Sequence, residues 1–316
     1  MTNPVPTVVI LLSDKRSGST IFQTEFLRHE KVAGLGYSSH TYLESHHWLK
    51  AAVMLGRPSR LFADSTLYPN YGSGRNARTY MIDTIQGNLP DFVPPTDDLT
   101  LIHRGWEALC AAHANPVFFE KSPQVLAHWA ALSLLLEWRA QTPFRVKLVG
   151  LVRNPLAVMH SSERLFGSVP NARQFGWVEI YRNLLALRAM LGQNDLMILR
   201  HEDIIAEPQG RFADICRFVG LDPDPTMGAG ITDHTQNRWL EDLDYGLQLD
   251  ESVRQVAFAL GYSREDLENP KPQATAAYRP SRPSFVQFLR TRRNHLRDRV
   301  VRPARMRTRQ TRHNRS

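Results

Sequence analysis

Cysteine is nearly absent. Cys110 and Cys216 are the only two in 316 residues, which excludes a disulfide scaffold and a cysteine-rich metal site. Long apolar runs are also missing: the longest stretches, Val8–Leu12 and Ala130–Leu136, fall far short of the roughly 18 residues a membrane-crossing helix needs. The N-terminus has neither the basic start nor the small-residue cleavage site of a secretory signal. The expected location is a reducing one, the cytoplasm. No repeat or low-complexity stretch precedes residue 268. With 42% hydrophobic and 22% charged residues, the composition is that of a globular chain and excludes a wholly disordered one.

Acidic residues are scarce at one end only. Residues 290–316 hold eleven arginines against the single acid Asp298, so a net charge of +8 conceals a tail of +10 on a body of −2. The basic balance describes that tail, and the activity of the body must be read from its own motifs. Pro270, Pro272, Pro280 and Pro283 mark a linker ahead of the tail. Phe285, Phe288, Leu289, Leu296 and Val300 punctuate the basic stretch. That mixture suits an anionic membrane surface, with peripheral association, or an acidic polymer. A solvated extension has the same composition, and no specific nucleic acid is expected, since such charge binds any of them.

Within the body, the short β-branched run Val8–Leu12 reads as a buried parallel strand, and Val117–Phe119, Val146–Val152 and Asp195–Leu199 are further strand candidates. Helical patterns alternate with them. Phe22 and Phe26 share a face after the first strand, residues 41–55 look helical, Asn154-Pro155 supplies a cap and a first-turn proline, and Pro208–Val219 is amphipathic. Residues 69–99, with Pro69, Gly72, Gly74, Pro90, Pro94 and Pro95, read as an irregular excursion suited to covering a substrate. The alternation predicts an α/β fold with a central parallel sheet.

The first strand runs into Ser13-Asp14-Lys15-Arg16-Ser17-Gly18-Ser19-Thr20. A glycine admits close approach of an anion, and the following helix offers unpaired N–H groups and a positive dipole end. Arg16 adds a cation, and Ser17, Ser19 and Thr20 add hydroxyls. The pattern is a phosphate cradle, although an ordinary capped helix start uses the same residue types. It departs from the nucleoside-triphosphatase loop, because Ser13 replaces the first glycine and Ser19 the lysine. A second motif, Leu148 to Pro155, puts Arg153 at a strand end before a helix, with Ser161 about two turns on.

Taken together, these elements resemble the two nucleotide-binding segments of sulfotransferases that use 3′-phosphoadenosine 5′-phosphosulfate (PAPS), most closely the bacterial, carbohydrate and tyrosylprotein type. In that family a K/R-S-G-[ST]-[ST] loop holds the 5′-phosphosulfate and R-N-x(6)-S holds the 3′-phosphate. Arg16 to Thr20 and Arg153-Asn154…Ser161 match them. Glu120-Lys121-Ser122-Pro123 is similar to the family's K-[ST]-P segment, and Leu199–Ile204 through Phe218–Leu221 to its R-Y-E-D-L…F-L-G-L segment. The resemblance spans roughly residues 7–267. It implies a three-layer α/β/α, P-loop-like fold in residues 1–267, with 268–316 as the linker and Arg-rich tail.

It further implies transfer of a sulfuryl group from PAPS to a hydroxyl or amine acceptor, with no metal. Arg16 is expected at the departing oxygen, aided by backbone N–H groups of Gly18, Ser19 and Thr20. Lys121 is expected to add charge near the transferred group, unless it is a surface lysine. Arg153 and Ser161 are expected at the 3′-phosphate, joined by Arg238 if the Thr235–Trp239 segment covers the nucleotide. The general base departs from family pattern: Pro123 stands where cytosolic relatives carry histidine, and Gly36 or Tyr37 where glycan and tyrosyl relatives carry glutamate. Glu44, and after it His40, are the candidates, four residues apart and so on one face of a helix. Adjacent His46 and His47 would point to different helix faces, and spacing supplies no third zinc ligand. His201-Glu202-Asp203 falls in a segment that supports the fold in this family. Two other readings stay open: a P-loop-like small-molecule kinase, against which the missing loop lysine and Mg²⁺ ligand argue, and a nucleic-acid or membrane adaptor acting through the tail.

Overall fold

The computed structural model describes residues 5–40, 42–57, 74–114, 116–232 and 238–271. Five parallel strands form one sheet in the order β2-β3-β1-β4-β5: β1 Thr7–Ser13, β2 Val32–Ala33, β3 Val117–Lys121, β4 Arg145–Val152 and β5 Leu196–Arg200. All seven residues of β1 are buried, as expected for a central strand covered on both faces. Its side chains divide by alternation. Val8, Ile10 and Leu12 enter one core with Trp48, Trp106 and Trp138, and Val9 and Leu11 enter the other with Phe22, Phe26, Phe119 and Phe212. Each such burial contributes roughly 1.5–3 kcal/mol. Two cores on opposite faces of one sheet are the expected three-layer α/β/α architecture.

Helices α1 (Ser19–Phe26), α8 (His201–Ala206) and α9 (Pro208–Val219) supply the second core, through residues such as Phe22, Ile204 and Phe212. The first core is covered by α2 (His47–Met54), α3 (Gly74–Asn88), α4 (Asp98–His113), α5 (Trp129–Gln141), α6 (Pro155–Phe166), α7 (Pro170–Met190) and α11 (Glu251–Ala259). The short α10 (Arg238–Glu241) adds Trp239 to it. The register pairs Leu11 with Lys121, Ser13 with Leu151, and Val152 with Arg200. The ends of β1, β3, β4 and β5 therefore open onto one carboxyl edge.

Two expectations need correction. The stretch at 69–99 is largely helical: α3 spans Gly74–Asn88 and α4 starts at Asp98. Ala77, Tyr80, Met81, Thr84 and Ile85 recur at helical spacing and are buried. The glycine and prolines mark helix ends, with Gly74 at the start of α3 and Pro90, Pro94 and Pro95 in the connection to α4. Residues 69–73 lie outside those described. In the stretch 41–55 only His47–Met54 is helix. The chain before it carries positive φ at Leu43 (58°) and His46 (49°), which interrupts helical continuity.

Most of the linker and all of the Arg-rich tail lie outside the described residues, which end at Lys271. Among the described residues no helix is long and apolar enough to cross a membrane.

Candidate active site

The loop after β1 turns through two left-handed residues, Arg16 (φ 70°) and Gly18 (φ 90°). Gly18 requires its lack of a side chain twice over. Its φ lies where glycine is favoured, and a Cβ there would sit 2.3 Å from His201 Nδ1. As the first residue of the turn into α1 it offers no side-chain cap, so the helix N-terminus presents its amides and positive dipole end at the sheet edge.

Ser17 does not contribute its hydroxyl to that cradle. The side chain is fully buried, with Oγ 3.0 Å from the Tyr181 hydroxyl. Because Tyr181 donates its own hydrogen to the Leu151 carbonyl at 3.0 Å, Ser17 is the donor of the pair. Only the backbone N–H of Ser17 is left to face an anion. Ser19 is half-buried and Thr20 exposed beside it.

The second motif reaches the first directly. Arg153, just beyond β4, donates from Nη1 to the Arg16 carbonyl at 3.0 Å. Arg16 Nε in turn donates to Ser161 Oγ at 2.9 Å. Sequence spacing placed Ser161 with Arg153; the structure instead ties both to Arg16, one through its side chain and one through its backbone. Burial lowers the pKa of both guanidinium groups. Asn154 caps α6 by accepting from Leu156 N at 2.9 Å, with Pro155 in the first turn.

The segment after β5 braces this arrangement. Glu202 accepts from Asn154 N at 2.9 Å and from the Tyr262 hydroxyl at 2.8 Å. Burial raises its pKa against these bonds and the nearby Arg153 charge. Asp203 pairs with Arg200. His201 stands behind Gly18, and burial, followed by the Arg153 charge, pushes its imidazole down to about 3, so it is neutral.

Lys121, at the end of β3, is buried rather than a surface lysine. Its Nζ donates to Thr20 Oγ1 at 3.2 Å and pairs with Glu44 Oε1 at 3.2 Å. The other oxygen of Glu44 meets His46 Nε2 at 2.9 Å and His40 Nδ1 at 3.3 Å. Glu44 and His40 do come together, but through a folded loop instead of a helix turn. Burial alone would raise the Glu44 pKa. The hydrogen bond from His46 and the charges of His46, His40 and Lys121 outweigh it and hold the carboxyl at about 2. The Tyr42 ring centroid lies 5.1 Å from the ammonium group. His47 faces away, its Nε2 donating to the Ile102 carbonyl at 2.9 Å inside the core.

Sequence reasoning missed Glu120. Its Oε1 accepts from Ser45 N (3.1 Å), Ser45 Oγ (2.6 Å) and Ser122 Oγ (2.5 Å), and Ser122 Oγ accepts from His46 N at 2.9 Å. One buried oxygen thus fastens the 44–46 loop to the end of β3, where Lys121 stands. The signal was a carboxylate directly after an apolar run inside a strand, Val117-Phe118-Phe119-Glu120.

Arg238 opens α10 and is exposed, and residues 233–237 before it lie outside the described ones. Its neighbour Trp239 lines a cleft of about 840 Å³ with Asn154, Glu202 and Arg254.

A sulfotransferase family model matches residues 6–225. Among solved structures, the chain is similar to the sulfotransferase domain of the Synechococcus PCC 7002 olefin synthase. The TM-score is 0.54 and the identity 19%, over 83% of this chain and 98% of that one. It is also similar to the sulfotransferase domain of the curacin biosynthetic pathway, with TM-score 0.51 and 15% identity, over 83% of this chain and 99% of that one. At these identities the structures speak for the fold alone. No curated protein matches the sequence. The family match covers well over half of the chain and includes both edge motifs, Lys121 and Glu44: the chain belongs to the sulfotransferase family.

Proposed function

We propose that the chain transfers a sulfuryl group from PAPS to a hydroxyl or amine acceptor by direct in-line displacement. The observation that carries this reading is the meeting of Arg16, Lys121 and Arg153 around the uncapped start of α1, with Glu44 held 3.2 Å from Lys121. This donor set fits an adenosine nucleotide bearing phosphate at both ends. The α1 amides, Thr20 and Lys121 face one end, and Arg153, Ser161 and Arg238 are assigned to the other.

The chemistry supplied by bound PAPS is an activated sulfuryl group that leaves its phosphate for the acceptor. Among the described residues Ser161 accepts from Nε of Arg16, and Nη1 and Nη2 are assigned to the departing oxygen, where negative charge grows. Lys121, paired with Glu44 Oε1 at 3.2 Å, brings a positive charge to the transferred group from the other side. Glu44 at about 2 is a weak proton acceptor at neutral pH. Its Oε2 lies 3.3 Å from His40 Nδ1, close enough for the carboxylate to stabilise the imidazolium formed when that ring takes a proton. Glu44 and His40 thus work as a unit, with the carboxylate orienting the more accessible imidazole that takes the acceptor's proton.

On this reading residues 1–267 are the catalytic domain. Residues 268–316 are a linker and a basic tail for an anionic membrane surface or acidic polymer, and the buried free thiols Cys110 and Cys216 suit a cytoplasmic setting. Calorimetry with adenosine 3′,5′-bisphosphate tests the reading: binding without Mg²⁺ is expected, and preference for ATP–Mg²⁺ would overturn it. Labelled PAPS against a panel of acceptors then identifies the substrate. Co-sedimentation of the full chain with anionic vesicles, compared with a chain ending at residue 271, tests the tail.

A further inference from the structure

We propose that His40, Glu44 and His46 form a binding site for a borderline divalent transition-metal ion, Zn²⁺ being the representative, and that the bound ion inhibits transfer. The binding claim stands on geometry alone. The inhibition rests on the role given above to Glu44 and His40.

One donor atom from each of the three residues lies within 4.8 Å of the others. Two of the separations are already short, with Glu44 Oε2 2.9 Å from His46 Nε2 and 3.3 Å from His40 Nδ1. An ion of this class bonds imidazole nitrogen and carboxylate oxygen at about 2.0–2.2 Å, so donors around a tetrahedral ion stand about 3.3 Å apart. The triad needs only a modest side-chain adjustment between the two imidazoles to close on one ion.

The backbone arranges this in advance. Left-handed turns at Leu43 and His46 redirect the chain on either side of Glu44. Ser38 Oγ donates to the Glu44 carbonyl at 2.5 Å, and Glu120 and Ser122 anchor Ser45 and His46 from beneath. Two ligands are buried, Glu44 and His46, while the His40 side chain is 25% exposed and borders solvent, with its Nδ1 turned inward. Paired imidazoles with one carboxylate select zinc, cobalt or nickel over magnesium and calcium, which take oxygen ligands.

Lys121 gives the site a signature. Its ammonium holds Glu44 Oε1 at 3.2 Å, so an ion on Oε2 places a second positive charge on the same carboxylate. The ion and Lys121 compete for that charge. Removing the lysine should tighten metal binding, an effect that adventitious surface histidines would not reproduce.

The test is calorimetry of tag-free full-length protein with Zn²⁺ alone, paralleled by the visible absorption of bound Co²⁺. One saturable equivalent is expected. It should weaken at least about tenfold in His40→Ala and Glu44→Gln, strengthen in Lys121→Gln, and be ignored by Mg²⁺. Circular dichroism confirms folding, and the part-exposed His40→Ala carries the test should a buried substitution unfold the chain. Absence of a saturable equivalent, or unchanged affinity in His40→Ala, overturns the proposal. Binding of adenosine 3′,5′-bisphosphate to the same sample separates the two readings. Nucleotide without zinc removes the metal site only, and zinc without nucleotide removes the proposed function only.

Discussion

Arg153 donates a hydrogen bond to the backbone carbonyl of Arg16 at 3.0 Å, across 137 positions of sequence. The contact links two strand ends and fixes a loop residue whose left-handed φ of 70° costs of order 1–3 kcal/mol. Arg153 therefore acts both as a positive charge and as a brace for the neighbouring loop.

Replacing either arginine should separate these roles. Arg153→Ala is expected to weaken binding of adenosine 3′,5′-bisphosphate by about 100-fold, or about 2.7 kcal/mol, since it removes a cation and frees the loop. Arg16→Ala should retain most nucleotide affinity and lose turnover. Calorimetry and single-turnover kinetics check both, and wild-type turnover in Arg16→Ala would refute its assigned contact.

Gly18→Ala should fail for two reasons that can be told apart. The methyl group meets His201 at 2.3 Å, and the backbone stays at φ 90°. A loss of about 1–3 kcal/mol in thermal unfolding is expected, together with loss of nucleotide binding. Adding His201→Ala should restore part of the stability, because it removes the clash but leaves the backbone strain.

Glu120 should behave as a positioning residue. Burial raises its pKa, and its hydrogen bonds are all received at Oε1. Glu120→Gln keeps an acceptor there and should retain most of the turnover. Glu120→Ala leaves three donors unserved and should lower kcat by about 100-fold, with nucleotide affinity changed by less than about threefold. Equal loss in both variants would show that charge, not hydrogen-bond acceptance, is what the loop needs.

The buried ionisable groups predict how stability changes with pH. Glu44 is held near 2 in the fold against an ordinary 4.5, so its contribution is present above 4.5 and disappears as pH falls towards 2. His47 and His201, both lowered to about 3, are neutral in the fold but take protons when unfolded below about 6.5. Acid destabilisation should therefore begin below that value. Lys50 acts with the same sign at the alkaline end. Its Nζ is buried against the Tyr80 carbonyl (3.1 Å) and Thr84 Oγ1 (2.9 Å), and burial lowers it to about 7 from 10.5. The unfolded chain binds the extra proton between those values, so stability should rise over that range. Denaturant unfolding across pH checks the slopes, and Lys50→Met should flatten the alkaline one.

The apolar run Val8–Leu12, the Asn154-Pro155 helix start and the full length of Pro208–Val219 were legible in the sequence, because each depends on neighbours within a few residues. So were the two edge motifs, a glycine before a helix and an arginine at a strand end, which the structure brings into contact. Local composition misled at residues 74–88, where glycine and proline at the ends hid a helical face.

Tertiary structure alone decided the rest. Ser17 lost its place in the cradle to Tyr181, more than 160 residues away, because a buried hydroxyl must find a partner. Lys121 and Glu44 meet because Glu120 clamps a distant loop to the end of β3. Periodicity specifies which face of an element is buried, but which charges then meet depends on how the elements are ordered in the sheet. Here that order places β1 between β3 and β4 and brings both motifs to one edge.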